Sequence, residues 1–151
     1  DGSPIAGALL DVWQTAPNGM YSGQDPAQPL ANLRGRYRTE ADGYFALRTV
    51  APVSYPIPTD GPVGRMLIAT GRHPNRPAHV HFMISAPGCR TLVTHLFRRG
   101  DTWLDSDAVF GVKDSLVVDF VPRPAGDEAG RPIGLDQPFL EARYDFVLAD
   151  A

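Results

Sequence analysis

His79-Val80-His81 places two imidazoles two residues apart. On a β-strand, residues i and i+2 point to the same side, so both rings face one way while Val80, Phe82 and Ile84 face a core. Two neutral imidazoles on one face suit a metal ion, although a bare pair of this kind is more often a pair of surface or hydrogen-bonded histidines. A cupin-like site would want a glutamate a few residues later, but the next is Glu128. The single cysteine, Cys89, excludes a Cys₂His₂ zinc site, and it reads as a buried, inert thiol. An iron site of two histidines and one carboxylate stays open, because aspartates are plentiful. Tyrosine is the other oxygen donor to weigh. Tyr21 ends Asn18-Gly19-Met20-Tyr21 in a polar stretch, and Tyr55 precedes Pro56, which biases its backbone toward extension. Each also suits an aromatic ring packed beneath a loop with its hydroxyl bonded. Arg76, three residues before His79, taken alone reads as a surface charge.

The elements that must position these residues are short. Residues 8–13 alternate Ala8, Leu10 and Val12 against Leu9, Asp11 and Trp13, the pattern of a strand. Residues 15–36 are polar and aperiodic and form a loop of a length that is usually functional or disordered. Asp42-Gly43 marks a turn before a strand at 44–50. Four prolines between 51 and 62 make that stretch a stiff, extended loop. Strands are also expected at 79–85, 91–97, 115–120 and 144–148, with a Pro- and Gly-rich excursion at 122–138.

Composition agrees. Fifteen glycines and 15 prolines in 151 residues exclude a helical bundle. The expected fold is all-β, an antiparallel β-sandwich with long Pro/Gly-rich loops, in one domain over 1–151. A net charge of −3 with no basic patch argues against nucleic acid. No apolar run reaches membrane-spanning length and no signal-peptide pattern opens the chain, so the expected compartment is the cytoplasm. The opening Asp1-Gly2-Ser3-Pro4 has no Met and reads as the start of a fragment or a trimmed chain.

Three separated motifs carry a resemblance. Gly71-Arg72-His73-Pro74-Asn75-Arg76-Pro77-Ala78-His79-Val80-His81-Phe82 resembles the iron-binding signature of the intradiol ring-cleavage dioxygenases. Gly7-Ala8-Leu9-Leu10-Asp11-Val12-Trp13-Gln14, followed by Gly19-Met20-Tyr21, resembles the first part of that signature. Tyr55-Pro56-Ile57-Pro58-Thr59-Asp60-Gly61-Pro62-Val63-Gly64 is similar to the loop that holds the family's second tyrosine. The resemblance implies a non-heme Fe(III) held by Tyr21, Tyr55, His79 and His81, with no organic cofactor. It further implies that Tyr55 yields its place to substrate and takes up a proton, and that Arg76 points at the substrate. Ile57, Pro58, Ala108 and Val109 match pocket-lining positions. Relatives carry an N-terminal helical segment that forms a dimer contact, so a homodimer is expected of the full-length enzyme, and this chain reads as the part that follows such a segment.

Family members cut 1,2-dihydroxy aromatics with O₂. Two features are most similar to the branch acting on hydroxyquinol, benzene-1,2,4-triol: the Tyr55 to Gly64 loop followed by Ala69-Thr70-Gly71-Arg72-His73-Pro74, and Thr94-His95-Leu96-Phe97 with Leu104-Asp105-Ser106-Asp107-Ala108-Val109-Phe110-Gly111-Val112-Lys113. Catechol-specific members tend to carry Gln where His95 stands, and a polar group there would suit a third hydroxyl. The alternatives are a catechol or chlorocatechol enzyme and, from another class, a metal-free β-sandwich binding module. The Arg76 to His81 run argues against the module.

Overall fold

A computed structural model describes residues 2–151, so Asp1 lies outside the described residues. Among the described residues nine strands and one α-helix form, in chain order: β1 (Leu9–Trp13), β2 (Arg34–Arg38), β3 (Tyr55–Pro56), α1 (Pro62–Ala69), β4 (Asn75–Arg76), β5 (His79–Ser85), β6 (Leu92–Arg98), β7 (Val117–Val118), β8 (Val121–Arg123) and β9 (Phe139–Glu141). The main sheet runs β2-β1-β5-β6-β7, and β3-β4 and β8-β9 are small antiparallel ribbons. All pairings are antiparallel except β6 with β7. The expected all-β fold is what forms.

Register divides the sheet into two faces. Leu10 sits opposite Ile84 and Val12 opposite Phe82, while Val80 sits opposite Leu96. These residues and Val118 form the buried core. Burying each such side chain stabilises the fold by about 1.5–3 kcal/mol before conformational entropy is counted. The alternate residues fall on the other face, where Trp13 sits opposite His81 and His81 opposite His95.

Several boundaries differ from the sequence expectation. Segments 44–50 and 144–148 form no ladder, yet Phe45, Leu47, Tyr144, Phe146 and Leu148 pack on the core as its covering layer. Phe146 stacks on Phe45 at 6.1 Å and meets Phe82 at 4.9 Å. Alternation reports which side chains are buried, and packing satisfies it without strand pairing. β2 begins inside the expected loop because Arg34, Arg36 and Arg38 mask a strand; charges along an edge are how sheets resist further pairing. Of 115–120 only Val117–Val118 pairs, after a 3₁₀ turn at Asp114–Leu116. The 122–138 excursion contains most of β8 and a 3₁₀ helix at Glu128–Ile133.

Helix α1 was not expected. Pro62 occupies its first turn, where no N–H is needed, and Gly71 at φ 67° ends it. Cys89 is half-buried rather than buried, in an isolated bridge with Asp150. Among the described residues no helix is long and apolar enough to cross a membrane.

Candidate functional site

The site lies on the face of the sheet opposite the core. His79 and His81 project from β5 on that face, and their Nε2 atoms approach to 3.0 Å. Trp13, across from His81 on β1, stacks on its ring at 4.8 Å and 8°. Phe97, opposite His79 on β6 and fully buried, contacts the rings of His79 and His95 at 5.5 Å each. His79 Nδ1 donates to the Pro77 carbonyl at 2.6 Å, which leaves its Nε2 lone pair facing the site.

The tyrosines arrive from two different segments. Tyr21 follows a turn in which Gly19 N–H donates to the Ala16 carbonyl and Gly19 holds φ 78°. Gly19 also lets that turn pass 3.2 Å from Tyr55 Cβ. Tyr55 is held by its pairing with Arg76 in the β3-β4 ribbon. The two hydroxyls meet at 2.7 Å; Tyr21 Oη reaches His81 Nε2 at 2.9 Å and Tyr55 Oη reaches His79 Nε2 at 3.3 Å. Two oxygens and two nitrogens from three segments therefore converge on one point. A cation bound at ~2.0–2.1 Å to four such donors sets neighbouring ones roughly 2.9 Å apart when the bonds meet at right angles. The donor set fits a metal ion.

Electrostatics point the same way. Burial, then the Arg76 charge, holds His79 down at about 3, and burial, then His79, holds His81 down at about 2. Both are neutral lone-pair donors at physiological pH. Burial, then the hydrogen bond and charge of Tyr55, push the Tyr21 phenol far up, so it stays protonated unless a bound cation displaces the proton. His95 completes a three-imidazole cluster with His79 and His81 whose ring nitrogens lie within 4.8 Å, a group able to hold a metal ion.

Arg76 is 5% exposed rather than a surface charge. Its Nη1 donates toward His79 Nε2 at 3.1 Å, and its Nε to Asp107 Oδ1 at 3.1 Å. Asp107 is the site residue sequence reasoning missed. It lay inside a motif quoted for resemblance, but nothing local marked it for contact with a residue 31 positions away. Burial opposes its ionisation, but hydrogen bonds from Arg76 and Gly111 hold it below the usual carboxylate range.

The expected pocket-lining residues divide. Ala108 is buried and Ile57 half-buried, each backbone-bonded to the segment beside Arg76: Ile57 N–H to the Pro74 carbonyl at 3.0 Å and Ala108 N–H to the Asn75 carbonyl at 3.1 Å. Pro58 and Val109 are exposed.

An all-β scaffold that brings two tyrosines and two histidines together beside a buried arginine defines a candidate metal centre. A family model described as "Dioxygenase" matches residues 1–150. The chain is 56% identical over 126 residues to a 6-chlorohydroxyquinol 1,2-dioxygenase from Cupriavidus pinatubonensis, covering 83% of this chain and 46% of that one. It superposes on the crystal structure of a hydroxyquinol 1,2-dioxygenase from Pseudomonas putida with a TM-score of 0.90 at 63% identity, covering 99% of this chain and 52% of that one. A catechol 1,2-dioxygenase structure from Acinetobacter also gives a TM-score of 0.90, at 35% identity, with 99% and 49% covered. The chain belongs to the intradiol ring-cleavage dioxygenase family. It spans about half the length of the relatives it matches.

Proposed function

We propose that this chain is the catalytic part of an enzyme that cleaves hydroxyquinol between its adjacent hydroxyls with O₂. The product is 3-hydroxy-cis,cis-muconate, which tautomerises to maleylacetate. The observation that carries this reading is the convergence of Tyr21 Oη, Tyr55 Oη, His79 Nε2 and His81 Nε2, with separations of 2.7–3.3 Å between neighbours. These four residues would hold a non-heme Fe(III), a hard ion suited to phenolate oxygens, and two phenolates reduce its charge to one net positive. Bound iron supplies a Lewis acid that draws electron density from the diol ring and makes it reactive toward O₂.

The chain's own residues do the rest. Tyr55 takes the proton released by a substrate hydroxyl, acting as a general base. Arg76, fixed with Nη1 toward the cluster, stabilises negative charge on the ring. His95, whose ring lies 4.4 Å from that of His81, presents a polar edge for a third hydroxyl. Ile57, Pro58, Ala108 and Val109 form the walls. The higher identity to hydroxyquinol enzymes than to the catechol enzyme supports hydroxyquinol over catechol.

The test is oxygen uptake by the purified, iron-loaded protein with hydroxyquinol and with catechol, the product identified by mass. Visible phenolate-to-iron charge transfer and preferential turnover of hydroxyquinol, with both oxygen atoms in the product, are expected. Tyr55→Phe should lose much of the colour and most of the turnover. A colourless protein that takes up no iron would instead mark a metal-free binding module, and preference for catechol would reassign the substrate.

A further inference from the structure

Arg76 has three guanidinium nitrogens facing two directions. Nε and Nη2 face Asp107 at 3.1 and 3.4 Å, and Nη1 faces the donor cluster at 3.1 Å from His79 Nε2. The ion pair is almost wholly enclosed, with side-chain exposures of 6% for Arg76 and 1% for Asp107. Removing two charges from water costs several kcal/mol per ion, which only close geometry and further hydrogen bonds offset. Asp107 has those bonds: Gly111 N–H donates to Oδ2 at 2.8 Å and Val109 N–H to Oδ1 at 3.4 Å.

The turn that fixes Asp107 is also the turn that carries Ala108 and Val109. Its backbone is tied to the Arg76 segment through Ala108 N–H to the Asn75 carbonyl and through Arg72 Nη2 to the Ala108 carbonyl at 2.7 Å. It closes tightly over the ion pair, because a Cβ at Gly111 would stand 3.1 Å from Asp107 Oδ2 and 3.3 Å from Arg76 Nη2. An arginine fork with one edge clamped has one orientation left.

We infer that Asp107 is a positioning residue, holding the Arg76 guanidinium so that only Nη1 faces the reacting ring and joining it to the 107–111 wall in one rigid unit. The inference rests on reading the site as an iron-dependent diol dioxygenase.

The experiment uses the iron-loaded protein and the diol it cleaves. Asp107→Asn keeps the side-chain shape and removes the charge. It should lower kcat/KM roughly 10- to 100-fold while the visible charge-transfer band stays in place. Arg76→Ala combined with Asp107→Asn should be no worse than Arg76→Ala alone, since one residue acts through the other. Added guanidinium should restore part of the activity of Arg76→Ala and none to the double variant. A purely structural role would instead make the double variant worse than Arg76→Ala alone and leave guanidinium rescue independent of Asp107. Affinity for the chromophoric diol 4-nitrocatechol gives the same ordering without turnover. If Asp107→Asn does not fold, Gly111→Ala, which presses on both charges, should lower kcat/KM in the same sense.

Parental kinetics and diol affinity in the folded variant, losses that multiply in the double variant, or guanidinium rescue that ignores Asp107 would overturn the inference. Failure of the functional reading looks different: the parent itself neither colours with iron nor cleaves a diol, and Asp107's role falls with it.

Discussion

At the scale of single residues, the two histidines of the site are held neutral, the form in which an imidazole can bind a metal. His79 would ionise near 6.5 in an unfolded chain but does so at about 3 in the fold, and His81 at about 2. Between those limits the unfolded chain binds more protons than the folded one, so the metal-free protein loses stability as pH falls below 6.5. Each buried imidazole contributes up to about 1.4 kcal/mol per pH unit across that window. Urea unfolding of the metal-free protein between pH 7.5 and pH 5 should show this decline, and His81→Asn should flatten it; parallel slopes would refute the assignment. The two histidines and two tyrosines were legible because a strand repeat and three motifs mark them locally. Asp107 was not, because its partner is distant in sequence and only the fold brings the two charges together.

At the scale of elements, the central strands were legible from alternation, since Leu10, Val12, Val80, Phe82 and Ile84 face one core. Pairing was less so. Alternation in 44–50 and 144–148 correctly named the buried side chains but not the missing ladders, and the arginines of β2 concealed an edge strand. Helix α1 hid behind Pro62, which reads as a breaker unless it is placed in a first turn. This helix packs directly on the loop after Tyr55, because a Cβ at Gly64 would collide with the backbone of Thr59. Gly64→Ala must therefore shift helix or loop, and about 1–3 kcal/mol of stability should be lost in urea titration together with iron content. Gly23→Ala, where a Cβ meets nothing and no helix is touched, is the control and should stay within about 0.5 kcal/mol of the parent. Equal effects of the two substitutions would show that this contact does not hold the loop.

At the scale of the molecule, the sheet keeps its two faces for two purposes, a core on one and the donor cluster on the other. The cluster has no element of its own. Tyr21 comes from the loop between β1 and β2, Tyr55 from the β3-β4 ribbon, and His79 and His81 from β5. Hydrogen bonds between Tyr21, Tyr55, His79 and His81 link those segments without metal, and they leave lone pairs crowded on one point. A cation there would join three segments distant in sequence and would bind only the folded chain. Its stabilisation then follows mass action: at a free metal concentration 100 times Kd it adds about 2.7 kcal/mol. For a chain of this size that raises Tm by roughly 5–10 °C. Calorimetry of the iron-loaded protein before and after chelation should show a fall of that order. Limited proteolysis should then cut first between residues 22 and 33, the part of the loop beyond Tyr21, since Tyr21 is the donor whose segment has the least sheet pairing to hold it. An unchanged Tm on chelation, with cleavage sites unaltered, would mean that the metal does not join these three segments.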